Sequence, residues 1–158
     1  MWKQLMKSPI AALMLGLTTM VATSGHVQAE QRTFTIAALE PRGGTNVDQE
    51  PFPTEPLPAG PGYVLNKPDQ TGRWEVVVYL LTPSQIIVNQ DDDVTLEFAG
   101  INGKSHPITI AGYDKSFELK RGHVTKISFK AAKTGVFPIE CHTHTPSMRA
   151  ELVVLPGR

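Results

Sequence analysis

Cysteine is almost missing: Cys141 is the single one in 158 residues. No internal disulfide can form, and no four-cysteine or Cys2His2 zinc site can be built within the chain. Excess charge of one sign is missing too. Lys and Arg total 15, Asp and Glu total 15, and the formal net charge is zero. With no basic stripe and no RNA- or DNA-binding motif, nucleic acid is not expected as a partner. Near-neutrality offers no steering patch that would name a protein partner. Helical periodicity is absent, since no stretch repeats apolar residues at helical spacing long enough to compete with strands. The apolar run Ile10 to Val21 is about a dozen residues, short of the ~20 that cross a bilayer. No Ser-His-Asp arrangement, internal repeat or second metal cluster is suggested.

That short run has a use. It follows Lys3 and Lys7 and precedes Val27-Gln28-Ala29, small residues at the spacing a signal peptidase reads. Residues 1–29 read as a secretory signal peptide, cleaved after Ala29, which predicts export to the periplasm with no membrane span left; the alternative is an uncleaved anchor. Residues 30–158 then suit one domain. Losing Lys3 and Lys7 would leave that part acidic by two charges. Export also gives Cys141 meaning. In an oxidising compartment an odd thiol needs an explanation, burial or a bound metal.

Two parts follow the leader. Residues 30–72 are rich in proline and glycine, most densely in EPFPTEPLPAGPG, Glu50 to Gly62, and cannot be helical. Within them only Thr33 to Ala38 reads as a strand. The remainder is either a flexible arm or, as favoured here, an extended strap burying Phe52, Leu57, Tyr63, Val64 and Leu65. Residues 73–158 form the main domain. Short β-branched and aromatic runs alternate with turn signals: Trp74–Leu81, Gln85–Asn89, Val94–Phe98, His106–Ile110, Ser116–Leu119, Val124–Phe129, Gly135–Glu140 and Glu151–Leu155. The fold class is all-β, a sandwich or barrel. Trp74, Phe98, Phe129 and Phe137 are expected in the core. Asp91 to Asp93 read as a solvated turn rather than a calcium loop.

The chemistry concentrates near the C-terminus. Cys141, His144 and Met148 share one loop between strands. Thiolate, imidazole and thioether together favour copper, and a thiolate with two imidazoles and a weak thioether makes a trigonal site with a long axial bond. The loop supplies three of these donors. His106, at the start of a strand after Gly100 to Ser105, is the best candidate for the second imidazole. His142 points away from Cys141 by strand alternation and reads as exposed. His123, in the turn Lys120-Arg121-Gly122-His123, reads as exposed too.

A strand, then Cys-x-x-His-x-x-x-Met, then a closing strand resembles the cupredoxins. The His-to-Met spacing is one residue shorter than in plastocyanin-type loops and one longer than in amicyanin. The resemblance covers roughly Trp74 to Leu155. It implies a seven- or eight-stranded Greek-key sandwich with a Pro/Gly-rich N-terminal extension. It further implies one copper per chain near one end, cycling between Cu(I) and Cu(II). His106, Cys141 and His144 would be equatorial ligands and Met148 axial, with the edge of His144 as electron exit. The single cysteine excludes the binuclear copper centre of oxidase-type members, which needs two bridging thiolates. The residue after the first histidine is usually asparagine, whose amide bonds the cysteine sulfur. Here it is Pro107, which has no amide hydrogen. Plastocyanin-type loops carry proline where this chain has Thr143, so one sulfur hydrogen bond is expected to have been exchanged for another.

The resemblance implies a monomeric periplasmic electron carrier whose partner is a redox protein such as a cytochrome or oxidase, rather than an enzyme. The alternative function is copper sequestration or resistance. His142 favours it mildly, and the absence of a His- or Met-rich tract weighs against it. The third reading is a copper enzyme with an open coordination position, should Met148 not bind.

Overall fold

The computed structural model describes residues 29–58 and 62–157. The expected signal peptide lies outside the described residues, apart from Ala29. Twelve strands and no helix are found among the described residues. Their sequences explain the choice. β7 (Asp93–Gly100) alternates strictly, placing Val94, Leu96 and Phe98 inward. β8 (Ser105–Ile110) does the same with His106, Ile108 and Ile110, and β12 (Arg149–Leu155) with Ala150, Leu152 and Val154.

Two sheets form the sandwich. One runs β10-β7-β1-β5, with β1 at Gln31–Leu39, β5 at Leu80–Thr82 and β10 at Val124–Lys130. The other runs β6-β12-β11-β8-β9, with β6 at Gln85–Asn89, β9 at Lys115–Lys120 and β11 at Gly135–Cys141. β1 lies parallel to β7 from Gln31 opposite Asp93 to Ala38 opposite Gly100, and β6 lies parallel to β12. A single apolar cluster fills the space between the sheets, drawing Ile36, Leu96 and Phe98 from one and Ile108, Ile139 and Leu152 from the other. Each such side chain contributes ~1.5–3 kcal/mol by leaving water. Phe129 and Phe137 pack against this cluster while partly exposed.

The extension is more ordered than its composition implies. β2 (Arg42–Asn46), β3 (Tyr63–Asn66) and β4 (Arg73–Val78) form a third sheet in the order β2-β4-β3. β2 reads RGGTN, which carries no strand propensity. Its strand form comes from pairing with β4. Trp74 is buried here rather than in the sandwich core, with Phe52 edge-on at 5.5 Å and its Nε1–H donating to the Glu50 carbonyl at 2.9 Å. The strap expectation holds for Phe52, Tyr63 and Leu65, which are partly covered, whereas Leu57 and Val64 are exposed. The single strand expected over Trp74–Leu81 is in fact two. The amides of Val78 and Tyr79 donate to the carbonyls of Pro41 and Gly62, holding that stretch to the small sheet, and the chain joins the sandwich only at Leu80.

The aspartate run is also not simply solvated. Asp91 turns the chain at φ 70° and Asp93 pairs with Lys130 at 3.2 Å, but Asp92 is fully buried. Its carboxylate accepts from the amides of Asn89 (2.9 Å) and Glu30 (3.0 Å), with Arg32 at 3.6 Å. Burial pushes this carboxyl up, but those amides and Arg32 outweigh it and hold it below the ordinary aspartate range. A depressed carboxyl stabilises the fold above its unfolded value near pH 4, and the contribution fades as pH falls through the folded value. Asp92→Asn is therefore expected to cost ~1–3 kcal/mol at neutral pH. The penalty should shrink below about pH 4. Urea titrations at neutral and acid pH measure this, and an equal penalty at both would show that the carboxylate charge is not what holds the turn.

Candidate metal centre

Cys141 is the last residue of β11 and faces the core with no exposed surface. It pairs with Ile108 of β8. Side chains on a strand repeat every two residues, so His106 shares the inward face of Ile108 and lies two positions further toward the β11–β12 loop. That register brings a buried imidazole to the mouth of the cysteine loop. The loop itself is a tight turn. The amides of His144, Ser147 and Met148 donate to the carbonyls of Cys141, His144 and His144, and the Cys141 amide donates to the Met148 carbonyl at 3.0 Å. Ser147 Oγ adds a bond to the His144 carbonyl at 2.7 Å.

The result places Cys141 Sγ 4.0 Å from His106 Nδ1 and 3.7 Å from His144 Nδ1, with the three ligand atoms within 4.8 Å of one another. Met148 is fully buried at the close of the same loop. His106 Nε2 lies 2.8 Å from the Asn102 carbonyl. A carbonyl only accepts, so Nε2 carries the proton and the Nδ1 lone pair faces the sulfur. This donor set fits a copper ion: one thiol and two imidazoles converge, and one imidazole is already held in the ligating tautomer.

Burial pushes the Cys141 thiol up, while the amides of Thr143 and His144 and the Thr143 side chain, hydrogen-bonded to the sulfur, pull it down. Pro107 has no amide to offer the sulfur, and its carbonyl accepts from the His142 amide at 2.9 Å. Burial also depresses the His144 imidazole, opposed by Glu40 and reinforced by His106. His142 and His123 are exposed, as expected, and stand outside the cluster.

Three residues at the site escape a reading of the sequence. Tyr79, where the chain crosses between sheets, stacks on His144 with centroids 4.2 Å apart and planes 11° from parallel. Glu40, just past β1, is 7% exposed, and its Oε1 lies 3.6 Å from His144 Nε2. Asn102 clasps the Glu40 main chain, accepting from its amide and donating to its carbonyl, both at 2.6 Å. No motif announces any of them; Tyr79 and Glu40 arrive through long-range packing, and Asn102, local to His106, joins the two by reaching Glu40. His144 keeps 18% side-chain exposure, toward a 380 Å³ cleft lined also by Tyr79, Tyr63, Val64 and Pro146.

No protein-family profile and no curated protein matches the chain. Solved structures do match in shape. The multicopper oxidase mgLAC superposes with a TM-score of 0.52 at 17% identity, over 81% of this chain and 39% of its own. A second multicopper oxidase gives 0.54 at 14% identity, over 81% of this chain and 44% of its own. The chain therefore spans less than half the length of either. Auracyanin A, a blue copper protein from Chloroflexus aurantiacus, aligns over 48% of this chain and 88% of its own, at 15% identity and a TM-score of 0.41. At such identities the likeness to the two oxidases concerns the fold alone. Strand order, register and this likeness agree: the chain folds as a cupredoxin-like Greek-key β-sandwich.

Proposed function

We propose that this chain is a type 1 copper-binding protein that carries single electrons in the periplasm, with His106, Cys141, His144 and Met148 as ligands. The observation that supports it most is the convergence of Cys141 Sγ with the Nδ1 atoms of His106 and His144 at one end of a rigid sandwich. Copper, when bound, supplies a one-electron couple. The protein's part is to keep one geometry for both oxidation states. Two cross-strand ladders hold β11, the turn bonds of residues 141–148 fix His144 and Met148, and Asn102 fixes the His106 ring. Met148, fully buried at the close of the same loop, would supply the weak thioether. One such cluster is present among the described residues, which favours a carrier over an oxidase that needs further metal.

Charge near the site suggests the kind of redox partner. Lys104, Lys120, Arg121 and His123 are exposed and make no ion pair among the described residues. Ser105 pairs with Lys120, and the Arg121 amide donates to the Lys104 carbonyl, so these groups gather at the end that holds His106. An acidic partner face suits it.

Titration with Cu(II) is expected to give an intense thiolate-to-copper band saturating at one equivalent. Cys141→Ser should abolish the band. Met148→Leu should keep it while altering the balance of its blue and shorter-wavelength components. A colourless wild-type protein would end the copper reading. Salt addresses the cationic rim. Electron exchange with anionic hexacyanoferrate should slow as ionic strength rises, and exchange with a cationic mediator should not. Identical salt responses would remove the rim from the argument.

A further inference from the structure

Glu40 is a buried carboxylate that the copper ligand set does not use. Burying a carboxylate is costly unless a partner compensates it. Among the described residues the basic group it meets is the His144 imidazole, 3.6 Å away at Nε2, an ion-pair distance rather than a hydrogen bond. Three features build it into place. Its main chain is clasped on both sides by the Asn102 side chain at 2.6 Å. The Asn102 carbonyl in turn holds His106 Nε2 at 2.8 Å, so one residue seats both the acid and a ligand. Next to it Gly103 has a φ of +80°, and a Cβ there would run into Glu40 Oε1 and come 2.8 Å from His106 Cε1. The loop has given up a side chain where the carboxylate sits.

Glu40 is not a fourth donor. Both Nδ1 atoms face Cys141 Sγ, and Glu40 stands behind His144, at the opposite nitrogen, outside the cluster of converging ligand atoms. At 3.6 Å from Nε2 the carboxylate acts on His144 through its charge rather than through a hydrogen bond. Its negative charge sits in a region of low dielectric, where charge acts over distance with little screening.

We propose that Glu40 is a positioning residue for the copper centre: through the Nε2 side of His144 it biases the site toward Cu(II) and sets the reduction potential lower than the four ligands alone would give. Glu40 also covers part of the His144 edge that would otherwise be free for electron exchange, and Tyr79 covers one ring face. The exposed remainder of His144 opens into the cleft beside Tyr79. This inference rests on the copper reading above, and its test separates the two.

The measurement is a redox titration of the copper-loaded protein against mediators, with wild type, Glu40→Gln and Glu40→Asp compared at one pH. Glu40→Gln keeps shape and removes charge. It should retain the thiolate-to-copper band and the melting curve of the metal-free protein. Its ratio of Cu(I) to Cu(II) at a fixed ambient potential should rise about tenfold, an upward shift of ~59 mV for a one-electron couple. Glu40→Asp, which keeps the charge but withdraws it by one methylene, should shift the ratio in the same direction and by less. It carries the test if the glutamine variant does not fold. An unchanged or lowered potential in the variant, with the band intact, overturns the role of Glu40 and leaves the copper reading standing. A wild-type protein with no thiolate-to-copper band overturns both.

Discussion

The register between β8 and β11 is the constraint on which the site depends. Ile108 opposite Cys141 puts the cysteine on the core face and leaves His106 two residues beyond, on that same face, at the loop. A slip of one residue would send His106 to the other face, together with Ile108 and Ile110. The slip is prevented by apolar burial, because all three inward residues of β8 are at most 1% exposed. His106 and Cys141 are therefore placed by hydrophobic packing, and the polar contacts of the site only refine them. This is economical in a chain with one cysteine and no disulfide to fix its geometry.

Refinement comes from hydrogen bonds that each serve two ends. Asn102 binds Glu40 through its side chain and His106 through its carbonyl. The His142 amide ties the loop to the Pro107 carbonyl of β8. β8 thereby keeps its inward histidine beside Pro107 at the mouth of the loop. Such surrounding bonds decide ring orientation and donor strength as much as the ligands do.

How much of this was legible follows from the range of each interaction. Local alternation exposed β7, β8 and β12 directly, because one face of each strand is buried and the other is not. The loop spacing of Cys141, His144 and Met148 exposed the site for the same reason: the donors are close in sequence. The small sheet was not legible. Its strand β2 contains Gly43-Gly44, and Gly44 is confined by the Arg73 guanidinium and Glu75 rather than chosen for strand propensity. The break at Tyr79 was hidden because WEVVVYLL, apolar but for Glu75, gives no sign of changing sheets. Asp92 was misjudged among three like residues, since only the fold reveals which of them meets the Glu30 and Asn89 amides.

The residues that distinguish this centre come disproportionately from the segment without a motif. Glu40 follows the strand that the extension contributes to the sandwich, and Tyr63 and Val64 line the cleft at His144. The small sheet holds Tyr79 in position through the Gly62 carbonyl, and Gly62 itself has a φ of 110° with no room for a Cβ against Ser147 of the ligand loop. The extension therefore touches the ligand loop at one end and the His144 ring at the other. A strap that only shielded the sandwich would not need a buried acid beside His144. Its contacts fall where ring orientation, local charge and access to His144 are decided. The C-terminal loop supplies the converging donor side chains, and the N-terminal extension shapes the surroundings in which they are held.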